Sequence, residues 1–295
     1  THPTVAAFTA TATERVRRDI IGILGLRDPS VTVTGFDRAN LYFDVIRMDR
    51  KHKASWVASY IADHPDESGI VYCATRKEVE SLAESLNIAV RELRAAKGED
   101  AARIGTVAVA YHGGMSAETR GRAQRDFVTD RVPVVVATNA FGMGIDKSNV
   151  SYVIHYNMPK SLEAYYQEAG RAGRDGEPAD CILLFAPADV ETARFLIDNG
   201  GSDALSEEEA ALVRRRDMER LQAMVGYCRT AKCLRGYILD YFGQPHADAC
   251  GSCGNCRAKY RAEDITTHAQ MILSCAVRIR DALGLLRGIL HQIRA

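Results

Sequence analysis

Short apolar runs with little alternation punctuate the first two thirds of the chain, at residues 69–73, 106–110, 133–137, 151–156 and 181–185. A run such as Pro133-Val134-Val135-Val136-Ala137 offers no polar face, so it reads as a strand buried on both sides. Residues 40–48 alternate instead and add a strand after a crossing linker that begins at Pro29. Val5 to Thr13 opens the chain as a further short apolar strand ending in small hydroxyl residues. Helical stretches lie between the runs: 14–24 with Thr13 as N-cap, 76–86, 116–127 capped by Ser116, and 160–170 behind Pro159. Strand then helix, repeated, predicts an α/β fold with a parallel sheet. Residues 87–105 are long and charged for a turn between helix and strand, and read as a helix extension or an insertion. After Pro187 the pattern is helical, broken at Asn199-Gly200-Gly201-Ser202 and resumed at Ser206-Glu207-Glu208-Glu209, with acidic residues near the positive end of the helix dipole. Leu283, Leu286, Ile289, Leu290 and Ile293 form an apolar stripe near the end, read as packing.

A chain of 295 residues with 46% hydrophobic residues can bury two cores. Its 38 basic and 38 acidic residues cancel, so global charge argues neither for nor against nucleic acid. Residues 228–261 are locally basic, with six Lys/Arg against two Asp/Glu. No apolar run reaches the length of a membrane span and no secretory signal opens the chain, so an intracellular protein is expected.

Two constellations carry chemistry. Gln167-Glu168-Ala169-Gly170-Arg171-Ala172-Gly173-Arg174 sets two arginines among glycines. Glycine lets backbone approach another surface closely, and guanidinium offers phosphate a permanently charged fork of donors. That is the build of an arginine finger. The second constellation is Cys233, Cys250, Cys253 and Cys256, spaced C-x16-C-x2-C-x2-C, with Gly251 and Gly254 easing the turn. Four thiolates suit tetrahedral Zn²⁺, and an Fe–S cluster is a second possibility. Cys228 competes for the first ligand position, whereas Cys73 and Cys181 read as small core residues. Four sulfurs leave zinc no open position, which points to a structural ion. The phosphate cradle is missing: no G-x-x-x-x-G-K-[ST] loop and no acidic Mg²⁺ motif occurs in the sequence. The chain is therefore expected to hold half of an ATP site.

Thr138-Asn139-Ala140-Phe141-Gly142-Met143-Gly144-Ile145-Asp146 resembles motif V of superfamily 2 helicases, and 167–174 resembles their motif VI. With the four cysteines downstream, Gln-x-x-Gly-Arg-x-Gly-Arg resembles the RecQ family of DNA helicases; RNA helicases of the DEAD-box type usually open motif VI with His-Arg, where this chain has Gln167-Glu168. The Thr-Ala-Thr that ends the opening segment, alone no more than a cap signal, is similar in this order to motif III; Ala74-Thr75-Arg76 is similar to motif IV, and Tyr111-His112-Gly113-Gly114 to the family's Tyr-His-x-Gly turn. Cys233-Leu234-Arg235 followed by Tyr241-Phe242-Gly243 is similar to the family's zinc-module helix, which favours Cys233 over Cys228.

The resemblance implies a RecA-like parallel-sheet lobe followed by a mainly helical zinc-binding domain. Residues 1–30 would be the end of a first lobe, 31–188 the second lobe, 189–258 a helical platform with its zinc site, and 259–295 a partial winged-helix start or a packing tail. It implies Arg171 and Arg174 as catalytic residues, Asp146 and Gln167 at the nucleotide, and Arg76, His112, Thr138 and Asn139 at the DNA backbone. Bland readings stay open for three of them: Arg76 as an exposed helix start, His112 as a turn-stabilising histidine, Asp146 as a turn residue. The implied cofactors are structural zinc, with ATP and Mg²⁺ in an intact enzyme that also has a Lys-loop lobe. The implied partner is DNA, the implied activity 3′-to-5′ unwinding in repair and recombination, and the setting a prokaryotic cytoplasm or a eukaryotic nucleus. The rival from another class is a non-catalytic, zinc-stabilised DNA-binding or scaffold module; an RNA helicase is a weaker one.

Overall fold

A computed structural model describes residues 4–142, 146–200, 206–258 and 266–293, with side chains through residue 280. Two compact units are present, residues 1–258 and 259–295.

In the first unit, α1 (Glu14–Ile23) starts at Thr13, whose hydroxyl accepts from the Val16 N–H as expected of an N-cap. The segment before it is not the strand expected. Residues 4–9 lie outside the sheet, and Phe8 is 95% exposed. Apolar content alone does not make a strand; the backbone needs a partner ladder.

Then follow β1 (Leu41–Arg47), α2 (Arg50–Asp63), β2 (Ser68–Tyr72), α3 (Arg76–Ala96), β3 (Ala108–Tyr111), α4 (Ala117–Val128), β4 (Val134–Ala137), β5 (Val150–His155), α5 (Leu162–Ala169) and β6 (Ala179–Phe185). The six strands form one all-parallel sheet in the order β1-β6-β5-β2-β4-β3. The expected α/β architecture is present. Every residue of β2 and β4 is buried, as their unbroken apolar runs require.

Alternate residues of the strands build two cores, one per face. Ile70, Val135, Val153 and Leu183 point to one face with Phe127, Phe141 and Tyr165. Val71, Val136, Ile154 and Leu184 point to the other, under α2 and α3 with Val57, Val79 and Leu86. Residues 87–96 of that stretch belong to α3, which runs on to Ala96, and 97–105 are turn and coil. Asn87 sits where that extension begins. Its side chain accepts from the Val107 and Ala108 N–H groups and donates to the Ala108 carbonyl, tying the helix to the start of β3.

The helical part comprises α6 (Pro187–Asp198), α7 (Glu207–Arg229), α8 (Leu234–Tyr241) and the short α9 (Gly254–Arg257). Ser206 and Glu209 form the capping box of α7. Arg214, Arg215 and Arg216 are a solvated face. Leu221, Met224, Tyr227, Leu234, Ile238 and Phe242 share one core with the sheet face that holds Tyr165, so these helices continue the lobe's packing. A buried ion pair adds a polar tie. Lys53 of α2 is fully buried and its ammonium donates to Asp189 of α6 at 2.8 Å and to the Tyr156 carbonyl at 2.7 Å.

The second unit contains α10 (Thr266–Ile293). Its Met271, Ile272, Leu273, Val277 and Ile279 are exposed. The side chains of the stripe at 283–293 lie outside the described residues. Among the described residues no helix is long and apolar enough to cross a membrane.

Candidate functional site

The carboxyl ends of β2, β4 and β5 and the loop after α5 meet on one edge of the sheet. Open α/β sheets place ligands at such an edge. Ser161 caps α5 by accepting from the Ala164 N–H, and Gly170 ends the helix. The chain then turns through Arg171, Ala172 and Gly173 to Arg174.

The two arginines are placed differently. Arg171 folds back under the turn after β4 and donates to the Gly142 carbonyl at 2.6 Å. A Cβ on Gly142 would collide with that guanidinium, so the glycine makes the room. Tyr72 donates to the neighbouring Phe141 carbonyl at 2.9 Å, so the turn is held from below twice. Arg174 stands outward, with its side chain 36% exposed, and donates to Asp146 at 3.4 Å. Asp146 is almost wholly exposed, but its neighbour Lys147 is buried and pairs with Asp130 at 2.5 Å. The buried lysine anchors the strand entry and leaves the aspartate facing solvent. Met143, Gly144 and Ile145 of the motif lie outside the described residues.

Gln167, one helical turn before Arg171, is exposed and donates to the Thr11 hydroxyl at 2.5 Å. The Thr-Ala-Thr segment is thus held against α5 one turn before the arginine loop, although it is not a strand.

The proposed DNA-facing residues separate into exposed and buried. Arg76 begins α3 and lies over the next glycine turn, where its guanidinium comes against Gly114. Asn139 is exposed at the end of β4. Thr138 is buried, and its hydroxyl accepts from the Ala140 N–H at 3.4 Å. His112 is buried with both ring nitrogens engaged: Nε2 meets Glu80 at 2.9 Å and Nδ1 accepts from the Gly114 N–H at 3.2 Å. Its side chain thus shapes the glycine turn, and Arg76 is an exposed cation beside it. Tyr72, Asn139, His155, Asn157, Lys160 and Glu168 line a cavity of about 370 Å³ on the same edge.

Cys233, Cys250, Cys253 and Cys256 converge, with all four sulfurs within 4.8 Å of one another. Cys233 and Cys253 are 3.9 Å apart, against about 3.8 Å for two sulfurs on a tetrahedral zinc with 2.3 Å bonds. The donors fit the ion. Cys228 packs in the core below and is not part of the cluster. Burial raises the Cys250 thiol, but hydrogen bonds from Ser252 and Cys253 outweigh it and bring it down to about 5, while burial pushes Cys233 up to about 12.

Sequence reasoning missed Arg38 and Asn40. Both reach from the linker before β1 into the arginine loop. Their partners lie more than 130 residues away, so no local spacing marks them.

Comparison with known proteins places these features. Residues 52–176 match the helicase conserved C-terminal domain, and residues 187–257 match the RecQ zinc-binding family. The chain is 43% identical over 282 residues to the ATP-dependent DNA helicase RecQ of Bacillus subtilis, covering 96% of this chain and 44% of that protein. It is 35% identical to the Pasteurella multocida protein of the same name (99% and 43% covered) and 34% identical to the RecQ-like DNA helicase BLM of Xenopus laevis (96% and 20%). The chain thus spans less than half the length of these relatives. Among solved structures, yeast Dbp5 bound to RNA and ADP BeF3 superposes with a TM-score of 0.50 at 20% identity, over 72% of this chain and 54% of that one. That likeness shows a shared RecA-like fold.

Proposed function

We infer the function from the premise that the chain belongs to the RecQ family of DNA helicases. It forms the arginine half of a composite ATP site in an ATP-dependent 3′-to-5′ DNA helicase that acts in repair and recombination. The phosphate cradle and the Mg²⁺ ligands belong to a separate lobe of the same protein.

The observation that carries this reading is the contrast between the arginines. Arg171 is spent inside the fold on the Gly142 carbonyl, whereas Arg174 stands at the surface of a pinned loop. A fixed, outward guanidinium suits charge developing on a phosphoryl group held by another surface. Arg174 is the finger, Arg171 supports the turn beneath it, and Asp146 and Gln167 lie on the nucleotide side. Arg76 and Asn139, at the strand ends, contact the DNA backbone, where phosphate contacts fix position without reading sequence. Residues 1–30 close the first lobe, 31–188 form the second, and 189–258 form the zinc-stabilised platform. Zinc supplies structure alone, since four cysteines fill its coordination.

The joined two-lobe protein is expected to hydrolyse ATP faster with single-stranded DNA than with RNA, and to displace a strand from duplexes with a 3′ tail. Stimulation by RNA alone would move the chain to another substrate, and binding of DNA without turnover would favour a scaffold module.

A further inference from the structure

The arginine loop is held by residues far outside it. Arg38 donates to the carbonyls of Gly170 (3.4 Å), Ala172 (3.1 Å) and Gly173 (2.8 Å). These oxygens follow the last turn of α5, where helix carbonyls lack intrahelical partners and the dipole favours a cation. Asn40 donates to the carbonyls of Gly173 and Glu177, each at 2.8 Å. Gly173 itself donates to the Val150 carbonyl at 2.9 Å. Its φ of +56° suits glycine, and a Cβ there would collide with the Asn40 amide. The residue just before Arg174 is therefore fixed at its nitrogen, its α-carbon and its oxygen.

The clamp is itself tied to the zinc module. Arg235 follows Cys233 by two positions and is 6% exposed. It donates to Asp37 at 2.8 Å, to the carbonyls of Arg38 and Leu41 at 2.5 Å each, and to that of Ala39 at 3.3 Å. Phe36 stacks on Phe242 at 4.4 Å, and its carbonyl accepts from Tyr166 of α5 at 2.8 Å. Residues 36–41 thus run between the helix that Cys233 caps and the arginine loop, bonded to both.

We propose that Arg38 and Asn40 are positioning residues for the arginine loop, held in place by Arg235 of the zinc module. Neither touches the reacting phosphate; they act by fixing Gly173 and so the direction of Arg174. The proposal rests on Arg174 being the finger. It makes the linker a route by which the metal module sets ATP chemistry.

The test uses Arg38→Ala, Arg38→Lys and Asn40→Ala in the joined two-lobe protein, beside Arg174→Ala. Arg38→Ala is expected to lower kcat by about 10²-fold, the size a misplacement of about 1 Å can cause, with KM for ATP and DNA affinity unchanged. Arg38→Lys, which keeps the cation but not the fork, is expected to recover part of that loss. Amide exchange at residues 170–177 is expected to rise in Arg38→Ala and Asn40→Ala, with zinc content at the parent level. Should Arg38→Ala not fold, the same readouts on Arg38→Lys and Asn40→Ala decide. Unchanged exchange at 170–177, or a kcat equal to the parent's while Arg174→Ala is dead, overturns the clamp. An active Arg174→Ala protein overturns the finger instead, and exchange at 170–177 still reports on the clamp by itself.

Discussion

Arg174→Ala in the joined two-lobe protein is expected to lower DNA-stimulated ATP turnover by roughly 10³-fold or more, the range that arginine fingers contribute. The fold should not notice. Arg174 is partly exposed, and its pair with Asp146, one of its contacts, lies at the surface, where such pairs contribute about 0–1 kcal/mol. Melting temperature and affinity for single-stranded DNA are therefore expected to stay at the parent level. Arg174→Lys should remain badly impaired, because an ammonium keeps charge without the planar fork that matches phosphate. Steady-state hydrolysis with a melting curve on the same sample checks both halves. Arg171→Ala is expected to differ in kind, since losing the bond to Gly142 disturbs stability as well as turnover. Unimpaired turnover in Arg174→Ala would take this residue out of the site.

Removing the metal is expected to have the largest effect on stability. Structural zinc binding is worth on the order of 10 kcal/mol at neutral pH, about the whole stability of an ordinary domain. The damage should spread. Cys233, Leu234, Ile238 and Phe242 belong to the same core as Leu41, Phe43 and Tyr165, so no separate zinc domain can unfold by itself. A chelator, or Cys233→Ser, should release the ion and lower the melting temperature sharply. It should also raise amide exchange at 36–41 and at 170–177, because Arg235 and Arg38 connect them. Metal content, melting and exchange measured together test this. A metal-free protein that melts where the loaded one does would show that the cluster holds no structural ion.

Much of the fold was legible because parallel strands buried on both faces leave unbroken apolar runs. β2, β4, β5 and β6 fall where those runs lie. α2 left no such signal. It buries Lys53 beside Val57 and Ile61, and a lysine on the buried face breaks the apolar stripe. The segment before α1 misled in the other direction, since its Val5 and Phe8 look like a strand and remain exposed outside the sheet. The extension of α3 was readable as helix, but its tie to β3 was not, because Asn87 meets β3 only after the chain has turned back. At the site, glycine, arginine and cysteine spacing marked the loop and the cluster. Spacing could not tell the inward Arg171 from the outward Arg174, nor show that both nitrogens of His112 are engaged within the fold. Those distinctions come from packing between distant segments, as do Arg38 and Asn40.

The most direct test is ATP hydrolysis by the 295-residue chain alone with saturating single-stranded DNA. Half a site should give no turnover above background, and adding the Lys-loop lobe in the same polypeptide should restore it. Turnover by the isolated chain that survives purification controls and persists in Arg174→Ala would mean a complete phosphate site within these residues, and the composite site would be contradicted.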